Sequence, residues 1–354
     1  MTLKAHILTR IAQNGPMTLA EYMGECLLHP ALGYYTTRDP LGAQGDFTTA
    51  PEISQMFGEM LGLALAQAWL DQGAPAPFTL AEPGPGRGTL MADILRATRS
   101  VPGFHAAAQV HLIEASPTLR ALQAEKLPHA KWLDSVDDLP DAPLFLVGNE
   151  FFDALPIRQF IRHGAGWCER LVGTDGDTLT FGLGAEAPQP ALAHRLTDTS
   201  DGDLVETCPA GAPIAHRIGS LIEQHGGAAL IVDYGDWRSL GDTLQALARH
   251  ETADPLADPG GADLTAHVDF EPLAQAAPCA HSLLTGQGVF LERLGITARA
   301  QALATKMQGD MLDAHIAAHR RLTHPKEMGT LFKVLGLYPK AANPPPGLEP
   351  APAR

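Results

Sequence analysis

The chain has 354 residues, close to half of them hydrophobic, and carries a net charge of −15. That apolar content can bury one large elaborated domain or two domains sharing an interface, and the negative charge argues against nucleic acid or an anionic membrane surface as a partner. The cysteines at 26, 168, 208 and 279 form no C-x-x-C pair and no metal-ligand spacing, which excludes a disulfide framework and predicts reduced thiols and no bound metal.

Residues 1–75 read as an N-terminal helical extension. A short amphipathic helix with Ile7, Leu8 and Ile11 on one face opens it, and with no continuous apolar run this start does not resemble a secretory signal. A periodic helix over 19–28, a stretch rich in Gly, Thr and Pro over 33–52, and a strong helix over 53–69 follow. Pro51 and Glu52 fit a helix start, with proline in the first turn and an acid near the positive dipole end. That reading leaves Gly45, Asp46 and Phe47 unexplained, and they are expected to fold over a bound cofactor as a lid.

Residues 76–156 begin a cofactor domain. Short apolar runs over 78–81, 110–113 and 144–147, with a fourth over 228–232, have the texture of strands buried on both faces of a parallel sheet. Helical patterns separate the first three, which predicts a doubly wound α/β sheet with ligands at the carboxyl ends of its strands. The run Leu80-Ala81-Glu82-Pro83-Gly84-Pro85-Gly86-Arg87-Gly88-Thr89-Leu90 orders a strand, an acid, a glycine turn and a helix start. Glycines 84, 86 and 88 let the backbone turn tightly and approach a ligand. A dinucleotide fingerprint needs G-x-G-x-x-G; here the third glycine comes one position early, which favours S-adenosyl-L-methionine over NAD.

Glu114 ends the second strand, where an acid can accept hydrogen bonds from both hydroxyls of an adenosine ribose. Asp134, in Trp132-Leu133-Asp134-Ser135, falls where a further strand between the 110–113 and 144–147 runs should end and is placed to meet the adenine amino group. At the end of the 144–147 strand comes Gly148-Asn149-Glu150-Phe151-Phe152-Asp153, which sets an amide and two carboxylates over the expected cleft. Asn149, Glu150 and Asp153 are therefore the candidate reaction centre, against the alternative that the acids cap the next helix.

Between 157 and 210 short alternating runs separated by glycine or Asp-Gly turns predict a small antiparallel, β-rich insertion. Residues 211–336 return to the cofactor domain. Asp233 and Tyr234 close the 228–232 strand at the ligand edge, and residues 263–270 alternate like a strand that carries His267, read as a base, a substrate contact or a structural histidine. Helices over 298–306 and 311–322 are expected to pack back on the sheet, and the proline-rich residues 337–354 read as a disordered tail.

The blocks at 45–59, 82–90, 149–156, 233–235, 243–245, 263–270 and 328–333, in that order, resemble the MidA family of S-adenosylmethionine-dependent methyltransferases over residues 16–336. Pro83 departs from the family, which more often has an aliphatic residue there. The resemblance implies a Rossmann-like class I methyltransferase sheet with a helical N-terminal extension, a β-rich insertion and a helical C-terminal region. Mitochondrial members are complex I assembly factors that symmetrically dimethylate an arginine of the forty-nine-kilodalton-type subunit. It thus implies protein arginine methylation, S-adenosyl-L-methionine as cofactor, and that subunit of complex I (NADH:quinone oxidoreductase) as protein substrate. With no mitochondrial presequence evident, a bacterial cytoplasmic location is expected. In this reading the glycine loop with Glu82 holds the methionine moiety, Glu114 the ribose, and Glu150 with Asp153 the guanidinium, while Asp233, Tyr234 and His267 contact substrate. Apolar helices near both ends allow a homodimer. Two rival readings are an NAD-dependent oxidoreductase, which must explain the short glycine spacing, and a noncatalytic assembly chaperone stabilised by S-adenosyl-L-methionine.

Overall fold

The computed structural model describes residues 2–37, 49–248 and 251–352, so the expected lid residues Gly45, Asp46 and Phe47 lie outside the described residues. At its centre is a mixed sheet. Its principal strands are β1 (Phe78–Pro83), β2 (Ala108–Ile113), β3 (Lys131–Leu133), β4 (Leu144–Asn149), β5 (Gly227–Asp236) and β6 (Phe332–Tyr338). In space they run β6-β5-β4-β1-β2-β3, with β6 antiparallel to β5 and the other neighbours parallel. The chain steps outward from β1 to β3 and then returns to the other side of β1 as β4. The order reverses at the β1–β4 boundary, so the loops leaving these strands part and open a crevice at their carboxyl ends.

The apolar runs in β1, β4 and β5 have no polar face because both faces are covered. Phe145, Val147, Leu230 and Val232 pack with Phe57, Leu61, Leu65 and Trp69 of the helix Gln55–Asp71 on one side. On the other side Leu144, Leu146, Ala229 and Ile231 pack with Ile218, Leu221 and Ile222 of Gly211–His225. Gly58 allows Gln55–Asp71 to press onto the helix Thr89–Thr98, since a Cβ there would stand 2.6 Å from Asp93 Cβ. A third core joins the helices Leu3–Asn14 and Leu19–Leu28 to the insertion. The strand Met17–Thr18 pairs with Gly166–Asp175, so the N-terminal extension and the insertion share one antiparallel sheet with Arg158–His163, Thr178–Ala187 and Leu204–Thr207.

Three expectations change. The single helix over 53–69 is divided at Ser54, which is extended and caps Gln55–Asp71 by accepting from the Met56 N–H at 3.2 Å. The alternating run 263–270 serves two partners: Asp263–Thr265 pairs with Gln245–Ala248, whereas Val268–Asp269 joins the end of β5. The tail expected to be disordered over 337–354 is ordered in its described part, residues 337–352. Residues 337–338 finish β6, and beyond them the Leu283 N–H donates to the Glu349 carbonyl, Arg293 pairs with Glu349 at 2.6 Å, and Leu348 is buried. Proline prevents a helix or ladder there but does not prevent a leucine from joining the core that holds Phe290.

Candidate active site

The crevice holds a cavity of about 550 Å³ lined by Glu82, Gly84, Gly86, Glu114 and Asp134 toward β1–β3, and by Asn149, Glu150, Asp153, Tyr234 and His267 toward β4–β5. Pro51 and Glu52, of the short helix Ala50–Ile53, close over it, and Glu52 accepts from the Thr89 hydroxyl at 2.6 Å. Of the expected site residues that are described, two do not line it: Gly88 and Asp233. Gly88 donates its N–H to the Pro85 carbonyl at 2.7 Å and precedes the helix Thr89–Thr98 at φ 72°, so its work is in the turn. Asp233 is fully buried beneath the cavity, with its carboxylate on main-chain N–H groups.

On the β1–β3 side the glycine loop is fixed from below. The Gly84 N–H donates to the Ile113 carbonyl at 2.9 Å, and at φ 62° a Cβ there would meet the Phe151 ring at 3.0 Å. Burial pushes the Glu82 carboxyl up to about 8, assisted by the neighbouring Glu114, and its Oε2 has no hydrogen-bond partner among the described residues. Glu114 takes the Ser116 N–H on Oε1 at 2.8 Å and Gln123 Nε2 on Oε2 at 3.1 Å, and burial raises it as well. Gln123, which sequence reasoning did not single out, also donates to the Gly86 carbonyl at 2.7 Å and accepts from the Trp132 indole at 2.8 Å. Its only signal was an uncharged polar residue in an amphipathic helix. Asp134 borders the cavity but pairs with Arg120 at 2.5 Å, and that arginine also donates to the Glu114 and Leu133 carbonyls, joining the ends of β2 and β3.

On the β4–β5 side Glu150 adopts φ 51°, a left-handed conformation uncommon outside glycine, and its N–H donates to the Val232 carbonyl at 3.0 Å. Its Oε1 accepts from the Ala50 N–H at 3.2 Å and from Asn149 Nδ2 at 3.0 Å. Burial, then the Asp153 charge, push its carboxyl up to about 7. Asp153 is raised to about 6 by burial against a hydrogen bond from Tyr234, and its Oδ1 is buried with no partner among the described residues. The Tyr234 ring meets His267 edge-on at 5.4 Å. Burial and then Lys333 lower the His267 pKa from its ordinary 6.5, so this imidazole is neutral at pH 7. Tyr35, also missed, lines the cavity and donates to Asp263 at 2.7 Å.

The donor set suits a cationic, nucleoside-bearing ligand. A buried carboxylate oxygen without a partner among the described residues stands beside the glycine cradle at Glu82, and a second carboxylate lies at the end of β2. Burying such groups is costly unless a cation or hydroxyl completes them. These features fit S-adenosyl-L-methionine, whose amino acid and ribose present those complements.

Comparison with known proteins bears on the same point. Residues 60–287 match the Methyltransf_28 family, described as S-adenosyl-L-methionine-dependent methyltransferases. The chain is 37% identical to the protein arginine methyltransferase NDUFAF7, mitochondrial, of Xenopus laevis, over 94% of this chain and 84% of that protein. It is also 37% identical to the Homo sapiens protein of the same name, over 94% of this chain and 82% of that one. A crystal structure of a COG1565 superfamily member from Burkholderia thailandensis, bound to S-adenosyl-homocysteine, superposes with a TM-score of 0.82 at 29% identity, over 98% of this chain and 94% of that chain. The curated relatives are mitochondrial proteins, and this overturns the expectation of a bacterial cytoplasmic location. S-adenosyl-L-methionine is the cofactor, as the glycine spacing led us to expect. With a match across most of its length to a methyltransferase family model and to relatives of one kind, the chain belongs to the MidA-like family of S-adenosyl-L-methionine-dependent methyltransferases.

Proposed function

We propose that this methyltransferase modifies arginine in a protein, and that its substrate is the forty-nine-kilodalton-type subunit of respiratory complex I, symmetrically dimethylated to assist assembly. The strand order, with its one long antiparallel strand beside β5, supports the Rossmann-like class I arrangement. The relatives named protein arginine methyltransferase support the substrate residue. The subunit and the methylation pattern rest on the family resemblance alone, and a homodimer is part of the proposal.

One observation carries the arginine reading. Among the described residues, Asp153 Oδ1 is buried without a hydrogen-bond partner beside Glu150, whose two hydrogen bonds to those residues both fall on Oε1. Two carboxylates with unspent acceptor capacity match the forked donors of a guanidinium better than a point-like ammonium. When bound, S-adenosyl-L-methionine supplies a sulfonium methyl to the attacking nitrogen. Glu82 would accept from its ammonium, Gly84 and Gly86 would border the methionine chain, Glu114 would accept from the ribose hydroxyls, and Asp134 would lie toward the adenine. Glu150 and Asp153 grip the guanidinium, localise its charge away from the reacting nitrogen, and orient that nitrogen toward the methyl. Glu150, raised to about 7, is matched to take the proton that nitrogen loses. Tyr234 and His267 wall the substrate end.

The test is incubation with S-adenosyl-L-methionine and the recombinant complex I subunit, followed by mass spectrometry of the methylated side chain. Methylarginine on that subunit, absent with Glu150→Gln, supports the proposal. Methylation confined to lysine or to a small molecule would reject it, and complete assembly activity in Glu150→Gln would favour the chaperone reading.

A further inference from the structure

We propose that Asp233 is a positioning residue: without touching the substrate, it sets the direction of Glu150 and Asp153 by holding the main chain between them. This rests on the reading that those two carboxylates grip the substrate. Asp233 is fully buried in β5. Its Oδ2 accepts from the consecutive N–H groups of Phe151, Phe152 and Asp153 at 3.2, 3.0 and 3.2 Å, and its Oδ1 accepts from the Tyr234 N–H at 3.0 Å.

Successive main-chain N–H groups that converge on one oxygen form a turn folded around an anion. Such a turn cannot close on a neutral apolar side chain, because its buried N–H groups would be left unsatisfied. Just before it stands Glu150 at φ 51°, a conformation that a non-glycine residue keeps only when its surroundings over-determine it. The constraints here are the Val232 carbonyl on the amino side and the Asp233 clamp on the carboxyl side. The Asp153 carbonyl then accepts from the Ala266 N–H at 3.0 Å, so the clamp also fixes the segment leading to His267. The clamp therefore lies between the two substrate grips in sequence and beneath them in space. The sequence placed Asp233 among substrate contacts because it sits at the ligand edge of a strand; its carboxylate is turned toward the backbone instead.

Asp233→Asn keeps the shape and breaks the pattern. An asparagine has one acceptor oxygen where the carboxylate has two, so either the Tyr234 N–H or the three turn N–H groups must face its amide donors. A shift of about 1 Å in reacting groups lowers turnover roughly 100-fold. The expected result is a kcat on an arginine substrate roughly 100-fold lower, with the Kd for S-adenosyl-homocysteine within about threefold of wild type. That split follows because Glu82, Gly84 and Glu114 belong to β1, β2 and their loops. Leu348→Ala, which loosens a distant part of the core, serves as the destabilised control and should keep its kcat. Amide hydrogen exchange of residues 151–153 in the free enzyme should accelerate at least about tenfold in Asp233→Asn.

A kcat within about threefold of wild type, or equal losses of turnover and cofactor binding, would overturn the proposal. If the wild-type protein methylates no arginine, the substrate reading fails by itself; the exchange measurement then decides the clamp, and unchanged protection of residues 151–153 would refute it. If Asp233→Asn does not fold, Asp233→Ser, which leaves room for water to meet the same N–H groups, takes its place in each assay.

Discussion

Glu150→Gln should stabilise the folded protein at alkaline pH while it abolishes methyl transfer. Burial and the adjacent Asp153 raise the Glu150 carboxyl from 4.5 to about 7. At about 1.4 kcal/mol per unit, keeping this group ionised inside the fold costs roughly 3 kcal/mol relative to the unfolded chain. The folded chain binds more protons than the unfolded one between the two values, so stability is full below 4.5 and falls as pH rises through about 7. Glutamine has no such titration and retains an oxygen for the Ala50 N–H and for Asn149 Nδ2. The variant's advantage should therefore be under about 1 kcal/mol at pH 5 and roughly 3 kcal/mol at pH 8. At about 2.1 cal/mol/K per residue of unfolding entropy, that is a Tm gap that widens from about 1 °C to about 4 °C. Scanning calorimetry of both proteins across this range measures it directly. A gap that is flat with pH, or a variant less stable at pH 8, would refute the claim that this carboxylate is held at the expense of the fold.

Cofactor geometry, titration and the C-terminal strap give three further expectations. The kcat/KM for an arginine substrate should climb with pH through the Asp153 value of about 6 and the Glu150 value of about 7, lying roughly 1000-fold below plateau at pH 5. A flat profile between pH 5 and 8 would count against both as grips. Gly84→Ala forces a Cβ to 3.0 Å from Phe151 at φ 62°, and calorimetric titration should show S-adenosyl-homocysteine binding at least about tenfold weaker; an unchanged Kd would mean the loop yields freely. Leu348→Ala should cost about 2–4 kcal/mol in denaturant unfolding, because its side chain is buried over Gly336. A loss below about 0.5 kcal/mol would favour the sequence-based description of residues 337–354 as a disordered tail.

The parallel strands were readable because burial on both faces leaves unbroken apolar runs, and the glycine loop because three glycines between a strand and a helix have few other uses. The cofactor was readable from a single spacing. What sequence could not show was direction. Asp233 and Glu150 are both acids at strand ends, and only the fold turns one toward main-chain N–H groups and the other toward the cavity. Gln123 was invisible because its three partners, Gly86, Glu114 and Trp132, come from separate segments. The run 263–270 misled because its true alternation is divided between two sheets, which local periodicity cannot reveal. The tail misled because proline content forbids regular structure without forbidding contact.

The antiparallel strand β6 also governs how this protein can be made. Its pairing runs from Ala229 with Leu337 to Tyr234 with Phe332, so that side of β5 has no partner until residues 332–337 have been synthesised. During translation the nascent sheet thus exposes a row of apolar residues and open backbone groups, the kind of edge that recruits foreign strands. A message truncated shortly before codon 332 would yield a chain with the whole glycine loop and the ends of β1–β5 present and an adhesive flank in place of its closing strand.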